Sequence, residues 1–336
     1  MMDMNSFSTP DEIPFDDVLD ALVDEERVLD PRYLYRLSDL SPDELAEIKE
    51  IWSGISDRRR RALLEDLEEL TESNTLLSFE ALFRFAMHDP DPQVRFFAIR
   101  AIEVFDTDDL IDEFLACLEE DDSEDVRAVS ASVLGKYVYR GEIDEIEKEQ
   151  QRKIEDKLLE TLNSSESPRV RRRALEAVSY SPRSEVHDHI LMAYQKENAD
   201  WQASALFAMG RSFDHRYDAR VLDKILHPSP QVRAEAVRAS GELYLEDAVP
   251  EILDLLDDVP RVRKAAIWAL SQIGGEGVAP AIRDMKDETL TDEEEALVNR
   301  ALDNLAFTEG RVNYSMFDVP VQGDEDLDFD GQEWAE

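Results

Sequence analysis

Cysteine is almost absent: Cys117 is the one thiol in a chain of 336 residues. That excludes an intramolecular disulfide, a zinc site built on several thiolates and a CxxC redox pair. Glycine is scarce, with 11 residues, and its one cluster (Gly274, Gly275, Gly277) precedes no Gly-Lys-Ser/Thr, so it reads as a helix stop and not a phosphate loop. No stretch reaches about 18 uncharged apolar residues, and Met1, Met2, Asp3 and Met4 bring neither the basic flank nor the apolar run of a secretory signal. The expectation is a soluble, cytoplasmic protein. Positive charge is short as well: 37 Lys and Arg face 79 Asp and Glu, a formal charge of −42. Such a field repels nucleic acid and anionic membranes, unless it reflects only a high-salt cytoplasm and says nothing of partners.

Apolar residues are not lacking, at 43% of the chain. Six segments share an apolar residue followed at +4 and +7 by small or β-branched ones, often with Arg at +1. They begin at Val94 (Arg95, Ala98, Ala101), Val126 (Arg127, Ser130, Val133), Val170 (Arg171, Ala174, Ala177), Trp201 (Gln202, Ala205, Ala208), Val232 (Arg233, Ala236, Ala239) and Val262 (Arg263, Ala266, Ala269). The starts are 32, 44, 31, 31 and 30 residues apart. A period near 31 with one insertion accounts for all the steps.

Positions 0, +4 and +7 share one face of a helix, and small side chains there let a second helix approach closely. Asp91-Pro92, Ser167-Pro168 and Ser229-Pro230 supply N-cap oxygens followed by Pro at the first helical position; Val259-Pro260 keeps only the Pro. An apolar helical stretch precedes each segment, so every repeat is a helix pair. The expected fold is all-α, an α-α superhelix of about eight helix pairs.

The phrases DPDPQVRFFAIRAI (Asp89 to Ile102), HPSPQVRAEAVRASG (His227 to Gly241), VPRVRKAAIWALSQIG (Val259 to Gly274) and AVPEILDLL (Ala248 to Leu256) resemble the HEAT repeats, especially the short bacterial form related to phycobilisome-lyase-like repeats, within the armadillo-like solenoids. The resemblance covers roughly residues 77 to 306. It implies a scaffold whose second helices line the concave side. Trp201 in place of Val, Gln202 in place of Arg and the insertion between Lys136 and Lys153 depart from the pattern and suggest an irregular middle.

The chain divides accordingly. Residues 1–40 form an acidic, partly helical segment, 41–76 an N-terminal capping pair, 77–276 six repeats with an insertion near 137–152, 277–307 a C-terminal capping pair, and 308–336 an acidic flexible tail. Ser41-Pro42-Asp43-Glu44 has the form of a capping box. Residues 311 to 336 hold 8 acidic side chains and one Arg, with Tyr314, Met316, Phe317, Phe329 and Trp334 among them.

No catalytic, cofactor-binding or metal residues emerge. The deoxyhypusine hydroxylases, which share this architecture, imply His-Glu dyads for two irons, but the five His are followed by Asp89, Asp188, Ile190, Arg216 and Pro228. His187 and His189 point about 200° apart on a helix and read as surface histidines. Cys117 lies among Phe114, Leu115 and Leu118 and reads as a small buried hydrophobe. A lyase-like or enzyme-maturation subunit is the alternative function, and a DNA-binding solenoid a third.

Arg58 to Arg61 form one basic run, for which pairing with Glu65, Asp66, Glu68 and Glu69 is expected. The repeating Arg95, Arg127, Arg171, Arg233 and Arg263 are expected to bond acids or carbonyls of neighbouring repeats, a structural ladder. Arg169, Arg172, Arg173, Arg238, Arg261 and Lys264 point away from the core and form a candidate strip for a protein partner. The sequence therefore reads as a non-catalytic protein-interaction scaffold, binding on its concave face an acidic, aromatic-bearing segment that is either a partner's or its own tail. No cofactor, nucleic acid or membrane is expected, and the oligomeric state is open.

Overall fold

Every position 0, +4 and +7 of the six segments is buried, none more than 9% exposed, so the periodic small residues decide how the helices stack. The computed structural model describes residues 13–26, 28–105, 107–287 and 291–308. The tail at 311–336, and its proposed docking, lie outside the described residues. Those described form eighteen α-helices and no strand. The first four are α1 (Phe15–Val23), α2 (Pro31–Arg36), α3 (Pro42–Ile51) and α4 (Asp57–Ser73). Pairs then follow one another: α5 (Glu80–Ala86) with α6 (Pro92–Ile102), α7 (Ile111–Glu120) with α8 (Glu124–Glu142), and α9 (Lys148–Asn163) with α10 (Pro168–Val178). They continue as α11 (Ser184–Tyr194) with α12 (Ala199–Arg211), α13 (Asp218–Leu222) with α14 (Pro230–Glu242), α15 (Val249–Asp254) with α16 (Pro260–Ile273), and α17 (Val278–Asp284) with α18 (Asp292–Thr308).

Local chemistry starts these helices. Asp91 accepts from the N–H groups of Gln93 and Val94 at 3.0 and 3.2 Å, Ser167 accepts from Val170 at 3.2 Å, and Ser41 with Glu44 closes a reciprocal capping box. Ser229 differs from expectation: its hydroxyl caps nothing, and its own N–H donates to His227 Nδ1 at 3.1 Å. The insertion is not an irregular loop. Residues 137–142 prolong α8, 148–152 open α9, and only five residues join them. Tyr137, Val138 and Gly141 continue the buried face, which is why the extra sequence stays helical.

The second helices α6, α8, α10, α12, α14 and α16 pack closely one on the next, whereas the first helices barely touch each other. The array therefore curves with the second helices inside. A third small position, +9, makes this spacing possible. A Cβ on Gly210 would lie 3.0 Å from Ala239 Cα, and one on Gly241 2.8 Å from Ala269 Cα. Residue +9 of one repeat thus nests against +7 of the next, with backbone nearly on backbone.

Candidate functional site

With +4 and +7 buried, +8 facing the first helix and +9 facing the next repeat, positions +3, +6 and +10 remain for the inner surface. They carry Phe97 and Arg100 on α6, Lys136 on α8, Arg173, Glu176 and Tyr180 on and after α10, Phe207 and Arg211 on α12, Glu235, Arg238 and Glu242 on α14, and Trp268 on α16. Tyr139 joins them at 5.0 Å, ring centroid to centroid, from Tyr180. Aromatic rings and guanidinium groups alternate along this groove. Arg100 sits 4.9 Å from the Phe96 ring and 5.4 Å from Phe97. Arg211 lies 4.7 Å from Phe207 and 5.4 Å from Tyr180, and donates to the Tyr180 hydroxyl at 2.6 Å. Arg238 covers the Phe207 ring at 4.3 Å.

The six candidate cations of the strip all have carboxylate partners. Arg169 meets Asp125, Arg172 meets Asp200 at 2.7 Å, and Arg173 meets Glu176 at 2.5 Å. Arg238 bonds Glu235 at 2.9 Å and also Glu242; Arg261 stands 3.5 Å from Glu235, and Lys264 pairs with Glu293. Arg173 and Arg238 face the groove at +3 and +6, while Arg169, Arg172, Arg261 and Lys264 lie at its margin at −1 and +2. Arg211 is different. Among the described residues no carboxylate reaches it within 4 Å, and its contacts are Tyr180 and Phe207.

The groove holds one carboxylate in a poorly solvated setting. Burial pushes Glu242 above the usual carboxylate range against the pull of Arg238 and Arg211. Glu242 Oε2 and Arg238 Nη2 are buried and lack a hydrogen-bond partner. The groove centre thus carries polar capacity that the chain itself does not use. The aromatic half of this surface is not legible in the sequence because only two of six repeats carry a ring at +6, Phe207 and Trp268, while Tyr180 stands at +10; their shared face shows only once +6 and +10 are read together.

The repeat arginines occupy the opposite, loop-side register. Arg95 forks Asp121 through Nε (2.9 Å) and Nη2 (2.8 Å) while Nη1 donates to the Asp89 carbonyl at 2.9 Å. Arg127 forks Glu166 and donates to the Asp121 carbonyl at 2.7 Å. Arg233 forks Asp258 at 2.8 and 2.7 Å and reaches the His227 carbonyl at 2.8 Å; Arg263 holds Glu294. Arg95, Arg127 and Arg233 therefore each tie a loop carbonyl before their own helix to an acid of the next repeat, while Arg263 holds the acid alone. Arg171 keeps only the carbonyl bond, to Leu162 at 2.9 Å.

Arg60 is a further rung. It donates to the Trp52 and Ile55 carbonyls at 3.2 and 3.0 Å and approaches Asp89 at 3.1 Å, where the Trp52 indole N–H also donates at 2.6 Å. The partners of the Arg58–Arg61 run therefore differ from the expected glutamates: Arg59 reaches the Ala21 carbonyl at 2.6 Å and Arg61 forks Asp91. The repeating spacing of loop acids at Asp89 and Asp121 was the available signal. His187 is also not a plain surface residue, since it is half-buried and lies 2.6 Å from the hydroxyl of the buried Tyr217. Cys117 is partly buried, and burial, with Asp121 and Glu113, pushes its thiol up to about 11. Among the described residues no group of three or more His, Cys, Asp and Glu is placed to hold a metal ion, and no helix is long and apolar enough to cross a membrane.

The model for HEAT repeats matches residues 79–148 and 219–303. A comparison with curated proteins found no match. Among solved structures the chain is similar to yeast importin-beta (12% identity, 89% of this chain, 47% of that one, TM-score 0.47), to the E. coli protein YibA (17%, 84% and 99%, 0.43) and to human deoxyhypusine hydroxylase (16%, 79% and 96%, 0.34). It spans about half the length of the importin-beta structures it matches. Helix pairs stacked through a recurring small-residue seam run through the chain, and residues 79–148 and 219–303 of it are HEAT repeats.

Proposed function

We propose that the protein is a non-catalytic interaction scaffold whose inner groove receives an acidic segment bearing aromatic side chains. The observation that carries this reading is Arg211: wedged between Phe207 and Tyr180 in the groove, it has no carboxylate within 4 Å among the described residues, whereas the six cations of the strip do. A guanidinium already stacked on rings loses little freedom when an incoming carboxylate meets its open edge, and Tyr139, Tyr180 and Trp268 offer faces for an aromatic neighbour. The paired cations at the margin act by exchange, because exposed ion pairs contribute only about 0–1 kcal/mol and open readily.

Residues 311 to 336 have the composition this groove fits, and a partner segment of the same character would compete with them. The test is calorimetric titration of a synthetic peptide of residues 311–336 into a chain ending at residue 308. Binding that weakens with salt, and at least about tenfold on Arg211→Glu, supports the reading. No heat of binding, or binding indifferent to that substitution, refutes it.

A further inference from the structure

One rung of the arginine ladder is open, and we propose that it is a binding site for a carboxylate side chain of a partner protein, separate from the inner groove. The intact rungs are internal controls. Arg95, Arg127 and Arg233 each present Nε and one Nη to both oxygens of a carboxylate, at 2.7–3.2 Å. Arg171 has the same position in its repeat, but there Nε itself donates to the Leu162 carbonyl at 2.9 Å, which leaves the two Nη groups for an acid, and among the described residues no carboxylate stands within ion-pair distance. In place of the acid it faces Trp201, 5.7 Å from guanidinium carbon to ring centroid.

A second cation shares that indole: Lys196 Nζ lies 3.4 Å from its centroid and likewise has no acid within reach. Trp201 is nine-tenths buried, while Arg171, Lys196 and the adjoining His189 are half-buried. Burial, reinforced by Arg171, lowers both Lys196 and His189 below their usual ranges, at His189 against the pull of Asp188. In a chain of net charge −42, an uncompensated cluster of this kind stands out against its surroundings.

The chemistry selects the ligand. A guanidinium whose sister groups take carboxylates can take another end-on through its two Nη groups, the ammonium supplies a third donor beside it, and the indole forms an apolar wall for the methylene stem. Glu197 stands at the sequence position of Glu166 and Asp258, but it is exposed and makes no bond to Arg171. The neighbouring repeat has Gln202 where the others have Arg, so the ladder is interrupted twice in succession at this place.

The test uses the full chain. The Trp201 indole N–H, assigned with Trp201→Phe, is followed by proton–nitrogen NMR as N-acetylglutamate α-amide is added at constant ionic strength, with chloride as the control. The expected result is a saturable shift, with affinity lowered about tenfold in Arg171→Gln and in Lys196→Gln, the latter with no side-chain hydrogen bond to lose. Glu197→Ala is expected to leave the melting temperature unchanged and the affinity equal or higher. No saturable shift overturns the proposal, as does an affinity unaltered in both variants. A Glu197→Ala chain that melts several degrees lower overturns it too, because Glu197 then closes the rung in cis. Inorganic phosphate shifting the indole where the glutamate amide does not would overturn the assignment to a carboxylate.

Discussion

Adding one methyl group at Gly241 sets two effects against each other. Gly241 is the penultimate residue of α14, where Ala is favoured over Gly by somewhat less than the ~1 kcal/mol of a helix interior. Against that, the new Cβ would lie 2.8 Å from Ala269 Cα, 3.0 Å from Ala269 Cβ and 2.7 Å from Trp268 Cζ3. Trp268 has room to turn toward the groove, but Ala269 Cα is backbone of α16 and moves only if the two helices separate. Overpacking of this kind costs about 1–3 kcal/mol, so the net expectation is a loss of about 1–2 kcal/mol. Gly135→Ala, whose Cβ would stand 3.1 Å from Ala177 Cα, is expected to cost less, and Gly54→Ala, with nothing within 4 Å, to be neutral or slightly stabilising. Urea unfolding followed by circular dichroism gives the order, and hydrogen exchange on α14 and α16 gives the location, since a solenoid loses its repeats in parts. A Gly241→Ala chain as stable as Gly54→Ala would show that the second helices do not pack through this seam.

Asp89→Ala removes the acceptor of the Trp52 indole and one of two carboxylates at the buried Arg60, the other being Asp57 at 2.8 Å, and is expected to cost about 1–3 kcal/mol in urea unfolding; a loss below about 0.5 kcal/mol would mean that water takes its place at the indole. Cys117, with its thiol raised by burial, is expected to react with iodoacetamide at pH 8 roughly a hundredfold more slowly than a free cysteine, and comparable rates would place it in open solvent. Stability is expected to change in opposite senses with pH. Glu242 has a raised folded value, so the strain of ionising it is relieved as pH falls toward the ordinary carboxylate range, whereas Asp91, Glu166 and Asp258 are lowered by bonds to Arg61, Arg127 and Arg233, and their contribution is lost as pH falls below the ordinary carboxylate values of about 4. Glu242→Gln is expected to raise the melting temperature at pH 7 and to flatten the gain on going to pH 5; an unchanged slope would remove Glu242 from the account.

The stacking of helices was legible because burial acts on single positions: Ala98, Ala174, Ala205, Ala236 and Ala266 recur at one register, and all are inaccessible. Gly210 and Gly241 were not read as part of that seam, because their role depends on the residue at +7 in the following repeat. The form of the insertion was not legible, because a break in period looks the same whether the extra residues form a loop or lengthen two helices. Charge was the least legible feature. Whether Arg172 or Arg211 is compensated depends on acids contributed by neighbouring turns and repeats, such as Asp200, and sequence spacing does not reveal which of them come within reach. The same holds for Arg171, whose sequence setting matches that of Arg127 and whose surroundings do not.

The most direct measurement places a photoreactive benzoylphenylalanine in the full chain, once at Phe207 on the inner face and once at Met192, which is exposed on the first helix α11. After irradiation, mass spectrometry identifies the peptide joined at each position. The account requires that position 207 capture a segment rich in acidic and aromatic residues, from residues 311–336 or from a partner, and that position 192 capture none. Capture of such a segment at 192 and not at 207 would contradict it.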